Sequence, residues 1–344
     1  MTAFRRGFFA AGICVVAAGV IAATFTIADA QNYVRAPTRI AVDATRITSF
    51  DNGDPLRTRF GALEFRGGLV LTAAERAFGG VSGLRVGADG SHFLAVTDNG
   101  SWLRGRIVYS DGRPAAVADA EMAPLLGSDG IALAAHRWFD AESLENDNGT
   151  LYVGLERVEQ IVRFNYARDG LAARGEPLHV PPDFKTFKFN KSLECLAMPP
   201  QGSPLAGTLI AVTERSLDAQ GNHRSYLLNG DHAERFSVKR SDDFDVSDCA
   251  ILPPGDLLLL ERRFSLTDGV AMRIRRIPLA ALKPGAVVDG PQLIFADLGF
   301  QIDNMEGMAI HRNAAGETII TLVSDDNFSV LQRNLLLQFA LVGE

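Results

Sequence analysis

The sequence predicts an all-β fold, a β-propeller of five or six blades, each a four-stranded antiparallel sheet. Three observations lead there. A short motif recurs at near-even spacing, each copy is built from short apolar strands parted by Gly and Pro turns, and a strand-like N-terminal segment lacking the motif is left over to close a ring. The motif is a carboxylate turn entering one apolar strand, answered by a carboxylate leaving the next. It is fullest in DNMEGMAI (303–310) with SDDNFS (324–329). Shorter copies are ESLE at 142 with LER at 155, LECLAM at 193 with VTER at 212, and VSDCAI at 246 with LLER at 259; GVSGLRV at 80 with VTDNGS at 96 is a weaker fifth. Aligned on Ser82, Glu142, Glu194, Asp248 and Glu306, the copies stand 60, 52, 54 and 58 residues apart. Such periods exceed those of solenoid repeats and suit propeller blades.

Within each copy the order of elements repeats. A short apolar strand (GLRVG, LAMPP, CAILPP, MAIHR) meets a Gly-containing turn, then a strand rich in Leu, Val and Ile (FLAVTD, LYVGLE, LIAVTE, LLLLE, ITLVSD). A third strand (GRIVYS, QIVRFNY, SYLLN, AMRIRRI, LLLQFAL) carries the chain outward to a less regular fourth. Short strands at this spacing argue against a parallel α/β sheet. Only a turn near Leu279 to Leu282 reads as helical. Upstream, RIAVDATRITSF and ALEFRGGLVL alternate as half-buried strands do, and the region 39–75 is expected to complete the last blade, since closure covers exposed strand edges.

Composition narrows the function. The chain has 344 residues, 47% hydrophobic and 22% charged, with net charge −7. No global positive field recommends a nucleic acid or an anionic membrane as partner. Residues 1–30 read as an export signal: Arg5 and Arg6, an apolar run from Phe8 to Ile27, then Ala28-Asp29-Ala30 as a small-residue exit. The Arg pair fits either an ordinary secretory signal or a twin-arginine type that has Phe4 where a Ser or Thr belongs, and an uncleaved anchor is the third reading. Residues 31–344 then form a single propeller domain, periplasmic or secreted, with no membrane span and a monomeric state expected. Cys195 and Cys249 hold the same repeat position; buried free thiols are the expectation, a disulfide the alternative.

Because inner strands of a propeller line its axis, equivalent residues face one another around a central channel. Glu142, Glu194, Asp248 and Glu306 are expected to converge at one mouth, with Asp98, Glu156, Glu214, Glu261 and Asp325 nearby. So many like charges require protons, arginines or a cation to offset them. Arg157, Arg215 and Arg262 each follow a strand-end glutamate and are read as partners of the adjacent blade's acid. A hard cation is the other offset: Asp303, Asn304, Glu306, Asp325, Asp326 and Asn327 are the densest oxygen supply, suited to Ca²⁺ more than to Zn²⁺. An Asx-rich turn bonded to itself explains the same residues without a metal. Lys185, Lys188 and Lys191, in FKTFKFNK just ahead of Glu194, would supply positive charge for an anionic ligand if they reach the mouth. No G-x-S-x-G elbow, H-E-x-x-H or P-loop occurs.

The strings DNMEGMAI, SDDNFS and LLLLERRF, with the ECLA and VTER pairs, resemble the bacterial "esterase-like activity of phytase" (phytase-like) proteins, exported β-propellers. The resemblance runs from about Gly80 to the C-terminus. It implies export, a propeller, and hydrolysis of phosphate or carboxylic esters, and it carries over to Glu142, Glu194, Glu261, Arg262, Asn304, Glu306, Asp325, Asp326 and Asn327. At VTDNG the sequence departs, with Asn99 where an arginine is expected. The functional expectation is a metal-assisted hydrolase of a small anionic ester. Ca²⁺ is held around Asn304, Glu306, Asp325, Asp326 and Asn327, Glu142 or Glu194 accepts a proton, and Glu261, Arg262, Arg215 and Arg157 complete the catalytic set. Lys185, Lys188, Lys191 and Asn99 touch the ligand. The alternative is a non-catalytic propeller that binds a ligand or protein in the cell envelope.

Overall fold

The computed structural model describes residues 33–188 and 191–343, so the expected export signal lies outside the described residues. Five sheets stand around one axis. Blade 1 is built on strands 81–86, 92–97, 101–110 and 113–124, blade 2 on 141–147, 150–155, 160–165 and 174–177, and blade 3 on 193–197, 209–217, 223–229 and 232–238. Blade 4 uses 245–252, 256–265, 269–278 and 292–296. In blade 5 the C-terminal strands 304–312, 318–325 and 334–341 are continued by the N-terminal strands 63–73 and 42–47, with Asn334 opposite Leu71 and Val42 opposite Ala73. The first strand of each blade is innermost, and each packs against the first strands of both neighbouring blades. The six-bladed option is thereby set aside.

Two outer edges are covered by short parallel strands borrowed from elsewhere, 126–127 on blade 2 and 287–288 on blade 3. Among the described residues the helical content is small: one four-residue α-helix, Tyr166–Asp169, started by the Asn165 side chain accepting from the Arg168 amide, and short 3₁₀ turns, among them Leu279–Ala281. No helix among the described residues is long and apolar enough to cross a membrane.

Apolar residues fill the wedges between blades. Between blades 4 and 5, Leu258, Leu260, Met272 and Ile274 meet Met305, Met308, Leu322 and the aromatic set Phe50, Phe60, Phe65 and Phe339. Where neighbouring inner strands touch, some positions leave no room even for a Cβ. A Cβ on Gly307 would lie 2.2 Å from the Ser82 carbonyl oxygen, and one on Gly83 would lie 2.6 Å from the Leu144 nitrogen.

The free-thiol expectation is overturned in this crowded zone. Cys195 and Cys249 form a disulfide, with Cα atoms 5.1 Å apart. Both side chains face the wedge between blades 3 and 4, in one apolar cluster with Val212, Val246 and Leu259. Adjacent inner strands in so tight a ring fall within the reach a disulfide needs.

Candidate functional site

Four of the inner strands carry a register shift at the same level, where one residue is skipped in pairing with the second strand. The skipped residues are Glu142, Glu194, Ser247 and Glu306. Blade 1 has a wider irregularity between Val81 and Leu84, which takes in Ser82. A bulge re-aims its side chain and is common beside functional sites. Here it turns the three glutamates toward the end of the channel where the second strands finish in Asp98, Glu156, Glu214 and Asp325.

Blade 4 breaks the pattern, and the ladder explains why. Val246 pairs with Glu261, whereas the equivalent inner residues of blades 2, 3 and 5 pair with Leu155, Thr213 and Ser324. The position filled elsewhere by Glu156, Glu214 and Asp325 is therefore Arg262. Two expectations are corrected by this one-residue offset. Glu261 does not reach the mouth: it is fully buried and accepts from Arg273 (2.8 Å) and Arg275 (2.6 Å) on the neighbouring strand. Asp248 lies one step deeper than the glutamates, its oxygens accepting from the amides of Cys249 and Met308, both at 2.7 Å.

At the mouth, the described residues bring together eight carboxylates: Asp98, Asp140, Glu142, Glu156, Glu194, Glu214, Glu306 and Asp325. Two cations reach into them. Lys191 donates to Glu214 at 2.6 Å. Arg262 donates to Glu306 at 2.9 Å and lies 3.4 Å from Glu214. Asn304 donates to Glu306 at 2.8 Å, and the Ser82 hydroxyl donates to Asp98 at 2.7 Å.

Burial first, and then the neighbouring carboxylates, push Asp98, Glu156, Glu194 and Asp325 well above the usual carboxylate range. Burial also raises Glu142. Glu306 is pushed up to about 7 by burial, with Arg262 pulling the other way. Burial works against the charge on Arg262, but Glu306, Glu214 and Glu194 outweigh it. Lys191 is held up by Glu214 in the same way. These shifts share one cause, acids buried beside one another, whose repulsion is offset by proton uptake or by added positive charge.

Two sets of three carboxylates have ligand oxygens within 4.8 Å of one another: Asp140, Glu142 and Glu156, and Glu156, Glu194 and Glu214. All their donors are carboxylate oxygens, which suit Ca²⁺ better than Zn²⁺, whose sites favour His and Cys. These sets lie in blades 2 and 3, across the mouth from the Asx-rich strands expected to hold a metal. There Asn304 is bonded to Glu306, and Asp326 accepts from the Asn334 side chain (2.8 Å) and the Gly80 amide (3.2 Å), joining blade 5 to blade 1. The Asn327 amide donates to Asp325 at 2.7 Å, with Asn327 itself left-handed at φ 47°.

The other expected residues scatter. Arg215 pairs with Asp245 of the next blade, and Arg157 lies over the Phe139 ring, 5.0 Å from its centroid. Lys185 and Lys188 are exposed, so of the three lysines only Lys191 joins the cluster. Asn99 is buried in its turn, accepting from Thr97 and donating to the Ala77 carbonyl. Asp140 was missed because it precedes the motif; its left-handed backbone (φ 66°), uncommon for a residue other than glycine, leaves no clear sequence signal.

Below the mouth, Arg85 fills the axis. Its guanidinium donates to Glu145 (2.8 Å) from blade 2 and to the carbonyls of Leu84, Leu196, Cys249 and Met308 from blades 1, 3, 4 and 5. Asp248 lies 3.6 Å away. One side chain thus touches every inner strand.

A family model described as phytase-like, esterase-like activity of phytase, matches residues 76–328. No curated protein matches the sequence. Similar solved structures include the Myxococcus xanthus glutaminyl cyclase (13% identity, 77% of this chain and 92% of that one, TM-score 0.41). The Bacteroides thetaiotaomicron endo-arabinase is similar at 14% identity, 75% and 92% coverage and TM-score 0.44. The PQQ-bound aldose sugar dehydrogenase of Streptomyces coelicolor is similar at 13% identity, 87% and 100% coverage and TM-score 0.41. Likenesses this distant say nothing about chemistry.

Proposed function

The chain belongs to the phytase-like family, that of the esterase-like activity of phytase, and from this membership and the acid-lined mouth we propose that it is an exported, cation-assisted hydrolase of small phosphate esters. The observation that carries the reading is the imbalance at the mouth, eight buried or half-buried carboxylates against Lys191 and Arg262. A hard divalent cation, Ca²⁺ by donor type, is held by members of the Asp140, Glu142, Glu156, Glu194 and Glu214 group. When bound it supplies positive charge to a substrate oxyanion.

The chain's own residues do the rest. Arg262 and Lys191 stand beside the acids as donors for the phosphoryl oxygens, and they hold that place before substrate arrives, which lowers the cost of stabilising developing charge. Glu306, with a carboxyl near neutrality, takes the proton from the attacking water. Water adds to phosphorus, the P–O bond to the leaving alkoxide breaks, and the alkoxide takes a proton from solvent, to which Glu306 returns the one it accepted. Phytate, with six phosphates, asks for more positive charge than this mouth gathers. Export is supported by the N-terminal signal pattern and by the Cys195–Cys249 disulfide, which suits an oxidising compartment.

A second reading keeps one observation on its side. Arg262–Glu306 and Arg215–Asp245 each join neighbouring blades, as acids and arginines would in a non-catalytic binding propeller. Turnover of p-nitrophenyl phosphate and p-nitrophenyl acetate, with and without Ca²⁺, on wild type and Glu306→Ala separates the two. Metal-dependent phosphate turnover lost in the variant is expected; none on either ester leaves the binding reading.

A further inference from the structure

We infer that the mouth holds two hard divalent cations side by side, with Glu156 as the carboxylate they share. The inference deepens the reading of the mouth given above and rests on it for the presence of a cation. Its ground is the membership of the two carboxylate sets. Asp140 and Glu142 belong to blade 2 alone, Glu194 and Glu214 to blade 3 alone, and Glu156 to both sets. Glu156 follows directly on the blade 2 strand 150–155, in a 3₁₀ turn that directs it to the blade 3 border. There one of its oxygens accepts from the Ser192 amide. A carboxylate has about four lone-pair positions, so accepting one amide leaves it free to bridge.

Ser192 provides a separate observation. Its carbonyl accepts from the Glu214 amide at 2.8 Å, which sets it opposite Glu214 across the blade 3 ladder. Residues opposite one another in a ladder project to the same face. The Ser192 hydroxyl is fully buried and has no hydrogen-bond partner among the described residues. Buried hydroxyls are nearly always satisfied. A neutral oxygen left open beside three carboxylates is what an oxygen-seeking cation completes, and it assigns Ser192 to the blade 3 ion.

Charge allows the number. Five carboxylates make up the two sets, Lys191 is bonded to Glu214, and Arg262 is shared between Glu214 and Glu306. With all five ionised, one divalent ion and Lys191 leave a net negative charge. A second divalent ion balances it, and Arg262 can then turn to Glu306 and an incoming anion.

The test uses the mature protein, stripped with chelator and titrated with Ca²⁺ and with Mn²⁺ as a paramagnetic stand-in. Equilibrium dialysis with elemental analysis is expected to find two ions per chain. Electron paramagnetic resonance of the Mn²⁺-loaded protein should show a spin-coupled pair. Glu142→Gln and Glu194→Gln should each keep one ion and lose the coupling, Glu156→Gln should lose coupling and weaken both ions, and Ser192→Ala should weaken the blade 3 ion about tenfold. One ion in wild type, or two without coupling, overturns the pair without needing any variant to fold. A coupled pair with no ester turnover keeps the pair and removes the hydrolase; turnover with a single ion does the reverse.

Discussion

Arg85 is the residue whose loss should be felt most widely, because its one guanidinium is shared by all five inner strands. Its side chain is 13% exposed, and it sits against Glu145 and Asp248, the latter fully buried. Replacing it by Met keeps much of the apolar stem and removes every donor. Two acids then lose their cation, and the carbonyls of Leu84, Leu196, Cys249 and Met308 lose a partner inside the ring. Breaking a buried ion pair from one side costs about 3–5 kcal/mol, because the remaining charge stays uncompensated. At about 2 cal/mol/K of unfolding entropy per residue, a domain of this size should lose roughly 5–8 °C in Tm. Arg85→Lys should recover only part of the loss, since an ammonium cannot reach acceptors on five strands at once. The double variant Arg85→Met with Glu145→Gln should be more stable than Arg85→Met alone, because the orphaned charge is removed with its partner. Calorimetry and guanidinium unfolding check all three. If Arg85→Met stays within about 1 kcal/mol of wild type, the axis is held by strand packing and the guanidinium is incidental.

Cys195→Ala with Cys249→Ala opens a cross-link spanning 54 residues and joining two blades, which should lower stability by about 2–4 kcal/mol, read against wild type with and without reductant. Burial raises Asp248 from 3.8 to about 8, so the folded chain keeps a proton that the unfolded chain has released; its stabilising share is full below about pH 4 and lost as pH rises toward 8. Wild type should therefore lose Tm relative to Asp248→Asn across that window, and parallel profiles would refute it. Because burial and mutual repulsion raise Glu156, Glu194 and Asp325, a cation at the mouth must displace protons; the gain in Tm from Ca²⁺ should grow as pH rises above the ordinary carboxylate range and vanish with chelator.

The repeat was legible because its period and its strand-turn order are written in residue types, and Glu142, Glu194 and Glu306 do meet where that period puts them. The misplacement of Asp248 and Glu261 has a local cause. In VSDCAI the acid stands one residue later relative to the bulge than in ESLE or LECL, and in LLLLERR the strand runs one residue longer before its mouth position. Side-chain direction in a strand alternates, so a shift of one residue moves a group to the other face. Periodicity over more than fifty residues does not resolve a single step. The disulfide was missed for a similar reason: the diameter of the ring, which brings adjacent Cα atoms to 5.1 Å, follows from the blade number, and that number was open. Asp140 and the hub role of Arg85 depend on contacts between blades and have no one-dimensional trace.

The offset in blade 4 is also what gives the mouth a direction. Had blade 4 matched its neighbours, a glutamate and another acid would replace Ser247 and Arg262, and the ring of charge would be nearly uniform. Instead the acids of blades 2 and 3 face an arginine on blade 4 that already bonds Glu306. A cation bound at the mouth would be drawn to the first side, and an anionic group beside it would be met by a guanidinium from the other. Putting an acid at the Arg262 position would return the ring toward uniformity, adding one more like charge beside Glu306 and Glu214 while removing the donor. Cation binding at blades 2 and 3 should survive that change, and binding of a phosphate-bearing ligand should not. The pair of results would show that this one irregular blade, and not the repeat, sets what the mouth accepts.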